Sequence, residues 1–234
     1  MVLGRTTLYE DGCLRKGRAF TMRDSYRDEL NATTELIVTV AGLVRTAVQD
    51  ATTALVTADL TIAERVISGD ARIDELTKEI EQRSFQLLAR QAPVAGELRT
   101  VVAVLRMSYS LDRMGDLAAH IAKIARLRYP EVAAPEPVAD QIKQMAETAD
   151  SMIATAITTL ENRDAEAAAG LATADSKMDE LRSDQFHLLL SDDWEYGVEK
   201  AVDTALLGRY YERIADHAVA MGARTISVSY THLR

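Results

Sequence analysis

The sequence predicts an all-α protein built as two tandem antiparallel three-helix bundles, and three observations predict it. Apolar residues recur at spacings of three and four along most of the chain, with no stretch of strand-like alternation. One cluster, Tyr129-Pro-Glu-Val-Ala-Ala-Pro-Glu-Pro137, holds three of the four prolines and splits the helical sequence near its middle. An acid-rich pattern also occurs twice. Leu55, Asp59, Asp70, Asp74, Glu75 and Leu76 are answered at one constant offset by Leu160, Asp164, Asp175, Asp179, Glu180 and Leu181. Further along, Asp112-Arg-Met-Gly-Asp116 is answered by Glu212-Arg-Ile-Ala-Asp216 at a slightly smaller offset. Self-similarity over such a period marks a duplicated structural unit.

The first helix is expected from about Asp24 to Thr57, with Leu36, Ile37, Val40, Leu43, Val44, Ala47 and Val48 on its apolar face. Asp59 stands where a helix N-cap belongs, and the second helix carries Ile62, Val66, Ile67, Ile73, Leu76, Ile80 and Leu87. Gln91-Ala-Pro93 ends it, because proline has no N–H for the helix ladder and restricts the residue before it. A third helix runs from Val94 to about Arg128. Beyond the proline cluster the pattern restarts as Val138 to Asn162, Asp164 to Leu190, and Glu195 to about Ile226. The resulting division is a first repeat over residues 22–129, a linker over 130–137 and a second repeat over 138–227. The copies are not identical: Leu181 to Phe186 is four residues shorter than Leu76 to Phe85. That is close to one helical turn, so the helix face keeps its phase.

Both ends read differently. Residues 1–21 lack helical periodicity and mix glycines with Arg15, Lys16 and Arg18. Met22, before Arg23-Asp24-Ser25-Tyr26, is the more natural start, so the stretch reads as a non-native extension or a disordered basic tail. Val228-Ser-Tyr-Thr-His-Leu-Arg234 resembles the translation of a sequencing adaptor, and His232 is given no role.

Composition excludes several functions. A net charge of −9 without a compensating basic stripe argues against nucleic-acid binding. The single Cys13 cannot build a thiolate metal site or an internal disulfide. No apolar run approaches membrane-spanning length, and a cytoplasmic, reduced location is expected.

The carboxylates carry the chemistry. Residues four apart on a helix are surface neighbours, so Asp70 with Asp74, Asp112 with Asp116, Asp175 with Asp179, and Glu212 with Asp216 each project from one face. On the third helix, Val101, Leu105, Ser108, Asp112 and Asp116 follow one inward or semi-buried stripe; on the sixth, Ala201, Ala205, Gly208, Glu212 and Asp216 do the same. Acids on such a stripe are costly without a cation. Packing the second and third helices of a bundle side by side would gather four of them, an all-oxygen set suited to Mg, Ca, Mn or iron rather than structural zinc. The competing reading is a solvated helix face, with Arg72, Arg113, Lys177 and Arg213 making ordinary salt bridges. His120 and His217 occupy non-equivalent repeat positions and are not expected as ligands. Trp194 and Phe186 read as core or helix-junction residues.

Together these residues resemble the PhoU family. The likeness rests on the paired acid motifs, the Leu-Asp112-Arg-Met-Gly-Asp116-Leu-Ala block, Tyr-Glu212-Arg-Ile-Ala-Asp216, Gly69-Asp70, and the Gln91-Ala-Pro93 turn leading to Leu98-Arg99. It covers about residues 22–227; the departure is Ala215 where the pattern usually has glycine. The resemblance implies a duplicated three-helix fold and a non-enzymatic negative regulator of phosphate uptake and phosphate-starvation signalling. It implies metal clusters of iron, zinc, manganese or magnesium held by Asp70, Asp74, Asp112, Asp116, Asp175, Asp179, Glu212 and Asp216. The partners it implies are the phosphate ABC transporter and a sensor histidine kinase at the cytoplasmic membrane face, with the chain a homodimer. Two alternatives stand beside it, a carboxylate-bridged di-iron oxidase and a metal-free helical adaptor. The oxidase characteristically needs Glu-x-x-His pairs, and this chain has none: His120 follows Asp116 by four and His187 follows Asp184 by three. No nucleophile–base constellation or glycine-rich phosphate loop offers other chemistry.

Overall fold

The computed structural model describes residues 22–90, 95–162 and 164–229. Six helices follow in order: α1 Met22–Thr57, α2 Leu60–Arg90, α3 Ala95–Arg128, α4 Glu136–Asn162, α5 Ala165–Leu189 and α6 Gly197–Ser229. There is no strand among the described residues. The turn expected at Gln91-Ala-Pro93 lies outside them, as do residues 1–21 and 230–234. α6 continues through Val228 and Ser229, two residues into the segment read as adaptor-derived.

The turns that fold each half are built alike. Asp59 caps α2, its Oδ1 accepting from the Ile62 N–H at 3.0 Å, and the Asp59 N–H donates back to Ala54 O at 3.2 Å. Asp164 repeats both contacts at α5: its Oδ1 accepts from the Glu166 and Ala167 N–H groups at 2.9 and 3.1 Å, and its N–H donates to Thr159 O at 3.1 Å. Each aspartate satisfies amides that the first helical turn leaves without partners. The connection between α1 and α2 is so short that the helices must run antiparallel. Ala58 takes φ +51° there, a left-handed conformation that costs an L residue about 1–2 kcal/mol.

The proline-rich linker is shorter than its composition suggests. Helical pairing resumes at Val138 and Ala139, whose N–H groups donate to Pro135 O at 3.0 and 3.1 Å. Pro137 is therefore already helical, at a first-turn position where a missing N–H costs nothing. At the other boundary α6 begins at Gly197, whose φ of +79° few side chains tolerate, and whose carbonyl accepts from the Trp194 indole at 2.9 Å. Trp194 is thus a helix-junction residue. Phe186 is not core: it is 43% exposed.

α1, α2 and α3 pack on one another, as do α4, α5 and α6; α3 also lies against α6 and α1 against α4. The halves do not keep separate cores. One apolar cluster runs from Ile37, Val44, Leu55, Ile80 and Leu111 through Met114 and Ile121 to Ile142, Met152, Tyr211 and Ile214. A smaller cluster of Tyr26, Leu30, Leu87 and Val101 closes the far end of the first half. Leu43, expected inward, is 40% exposed because it falls off the Ile37–Val40–Val44–Val48 stripe that α1 turns to its neighbours. Polar contacts stitch the seam. Arg45 grips Asp150 through two bonds of 2.7 and 2.8 Å, the Thr52 and Tyr211 hydroxyls meet at 2.8 Å, and Arg128 reaches Asp203 and Glu199.

Candidate metal centre

On the first bundle the four predicted carboxylates share the α2–α3 seam, and all four are half-buried. Two small residues let the helices close. A Cβ on Gly115 would stand 3.1 Å from Asp70 Oδ1 and 3.2 Å from Ile73 Cγ2, and Ser108 Oγ donates across the seam to Thr77 O at 3.1 Å. Thr77 Oγ1 lies within hydrogen-bond reach of both Asp112 Oδ1 (3.2 Å) and Asp74 O (3.1 Å).

The electrostatics are those of an acidic pair of helix faces short of cations. Burial, then Asp116 and Asp74, hold the Asp70 carboxyl above the usual carboxylate range, with Lys123 opposing. Burial likewise raises Asp112; the Thr77 hydroxyl works against it, while Asp74 adds to it. What positive charge is present sits on the rim. Arg113 donates to Asp116 Oδ2 at 2.7 Å and comes within 3.6 Å of Asp112, while Lys78 stays 4.0 Å from Asp74. Arg72 pairs with Glu75 instead. Asp70 Oδ1 is sealed from solvent with no hydrogen-bond partner, an oxygen that a proton, a water or a cation would satisfy. The all-oxygen donor set and this orphaned oxygen suit a hard cation, while the space beside Gly115 is taken by Asp70 and Ile73 themselves. The fit is not a closed cage: among the described residues no three Asp, Glu, His or Cys side chains converge into a metal-holding group.

The second bundle brings Asp175 and Asp179 of α5 to face Glu212 and Asp216 of α6, but on different terms. Asp179 and Asp216 are exposed, and Glu212 already has two cations. Arg209 Nη1 lies 2.7 Å from Glu212 Oε1 and Arg182 Nε 3.3 Å from Oε2. Burial of the carboxyl raises Asp175, aided by Asp179 and Glu212; partial local desolvation, then Asp175 and Glu212, raise the otherwise exposed Asp216, against Arg209. This acid set fits a metal less well than the first.

Sequence reasoning missed Arg182. The signal was present in the repeat itself, where Leu76-Thr77 is answered by Leu181-Arg182 and Ser108 by Gly208. His120 stacks on Tyr210 at 5.5 Å across the α3–α6 seam, with Asp116 one turn earlier on its helix near enough to act on it. Burial and then Lys123 push the His120 imidazole below its ordinary value, and burial, Arg213 and Arg113 do so for His217.

The PhoU domain profile matches this chain twice, over residues 37–125 within α1–α3 and 142–225 within α4–α6. The chain belongs to the PhoU family. It is 42% identical over 205 residues to the phosphate-specific transport system accessory protein PhoU homolog 2 of Mycobacterium tuberculosis, covering 88% of this chain and 96% of that protein. The PhoU homolog of Caulobacter vibrioides is 30% identical over 198 residues, covering 83% and 85%. Among solved structures, the crystal structure of PhoU from Pseudomonas aeruginosa superposes with a TM-score of 0.83 at 24% identity, over 88% of this chain and 99% of that one. The phosphate transport system regulatory protein PhoU from Streptococcus pneumoniae gives 0.79 at 24% identity, over 89% and 99%. These PhoU structures share the fold class expected from the acid repeat, all-α with two copies of one domain.

Proposed function

We propose that this PhoU-family protein is a negative regulator of phosphate uptake and phosphate-starvation signalling. In this reading it is a non-catalytic, cytoplasmic adaptor, acting as a homodimer between the phosphate ABC transporter and a sensor histidine kinase at the inner membrane face. The observation that carries the reading is near-full-length similarity to proteins named as accessory to phosphate-specific transport. No described helix is long and apolar enough to cross a membrane, so a place at the transporter would come from docking rather than insertion.

Asp70, Asp74, Asp112 and Asp116 would hold a divalent or trivalent cation (iron, zinc, manganese or magnesium), with hard, oxygen-preferring ions suiting the donors best. The cation would supply positive charge at the α2–α3 seam, where Thr77 and Gly115 keep the acid-bearing faces close. Asp175, Asp179, Glu212 and Asp216 are the motif-equivalent set, although Arg182 and Arg209 stand on Glu212. A metal-free adaptor is the second reading, favoured by the absence of a converged three-ligand group among the described residues.

Deleting the gene should derepress phosphate-starvation genes in phosphate-rich medium, and the wild-type gene should restore repression. A copy with all eight carboxylates neutralised should restore it poorly. Normal repression in a deletion strain with no second copy of the gene would refute the regulatory reading, and pull-downs with and without phosphate would test the partners.

A further inference from the structure

The two acidic faces differ by one buried cation. Arg182 is 9% exposed, and its guanidinium is held on three sides. Nε approaches Glu212 Oε2 at 3.3 Å, Nη1 donates to Gln185 Oε1 at 2.6 Å, and the group lies 3.9 Å over the Phe186 ring. Room for it is made on α6. A Cβ on Gly208 would collide with Gln185 Oε1 and stand 2.9 Å from Arg182 Nη1. The first bundle has Thr77 and Ser108 at the matching positions, and beside them a cleft of about 410 Å³ opens towards Asp112, Phe85 and Tyr109. A buried guanidinium is retained at such a point only if a carboxylate compensates it, and its planar, permanently charged fork suits that task better than a lysine would. Each face also leaves buried polar atoms without a partner, Asp70 Oδ1 on the first and Gln185 Nε2 on the second.

We propose that Arg182 is the resident counter-cation of the second acidic face, so that this face takes up no divalent cation. The uptake half rests on the metal reading above; the pairing of Arg182 with Glu212 does not. A guanidinium and a metal ion compete for the same carboxylate charge, and the covalently tethered one does not dissociate. One half of the duplicated motif is thus supplied with its own cation.

The test uses the full chain and manganese(II) as the probe, with binding followed by calorimetry and elemental analysis. Asp112→Asn with Asp116→Asn should weaken binding at least tenfold, whereas Glu212→Gln with Asp216→Asn should leave it unchanged. Arg182→Thr, or Arg182→Met to keep side-chain bulk, should add a second binding event. Equal losses from the two acid pairs, or no added event in either Arg182 variant, would overturn the proposal. In chelator, Arg182→Met should lower Tm, and Glu212→Gln on that background should recover it. Additive losses there would remove Arg182 from the counter-cation role. If the wild type binds no manganese, the metal reading falls, while this coupling still decides the Arg182 half.

Discussion

Asp70 combines two unfavourable features: an oxygen sealed from solvent without a partner, and like charges on Asp74 and Asp116 that resist its ionisation. A carboxyl whose pKa is raised in the fold binds its proton more tightly folded than unfolded. It therefore destabilises the metal-free protein above the folded pKa, and that penalty disappears as pH falls below the unfolded value of about 3.8. Asp70→Asn should accordingly raise the stability of chelated protein at neutral pH by about 0.5 kcal/mol, the scale of one like-charge helix pair. The gain should shrink on acidification. With saturating manganese the order should reverse, because the amide removes one negative ligand from the proposed site. Thermal melts of both proteins across pH, with and without metal, would check each sign.

Among the elements, α2 and α5 show how closely the duplication was preserved. Both start on an aspartate whose side chain takes first-turn amides and whose own N–H reaches back five residues. Asp59→Ala and Asp164→Ala should each lower stability by about 1 kcal/mol, as lost N-caps do. The two sites share no partner, so the double variant should lose about 2 kcal/mol. Urea denaturation would show it; a negligible effect at one site alone would mean that its turn is held by packing instead. The copies diverge after the acid motif, where α5 has 25 residues to α2's 31 and Arg182 stands where α2 has Thr77.

For the whole molecule, the seam between the halves decides how it behaves. The core is continuous across α1, α3, α4 and α6, and Asp203, only 5% exposed, depends on Arg128 at that seam. Unfolding should therefore be one cooperative transition rather than two. Arg128→Ala leaves a buried carboxylate without its cation and should cost about 3 kcal/mol, most of it regained by adding Asp203→Asn. Two resolved transitions in wild-type calorimetry would contradict this picture of a single folding unit.

Helix positions, the Asp59 cap, the acid pairs and the duplication that pairs Asp164 with Asp59 were determined by the sequence by itself, because each depends on neighbours within about one turn or on self-similarity. Periodicity also placed Ile37, Val44 and Ile80 inside. It misplaced Leu43, since a three-and-four rule does not say how wide a buried stripe is. It left Phe186 as a core or junction residue, although its spacing of four from Arg182 on one helix already sets that guanidinium beside its ring. Only the tertiary structure decided that the bundles share a core, that Gly115 and Gly208 clear space for different neighbours, and that one face shelters a guanidinium while the other leaves an oxygen without a partner. Those outcomes depend on which helix faces meet and on what burial does to a charge. Residues far apart in the chain settle both, so no local pattern could carry them.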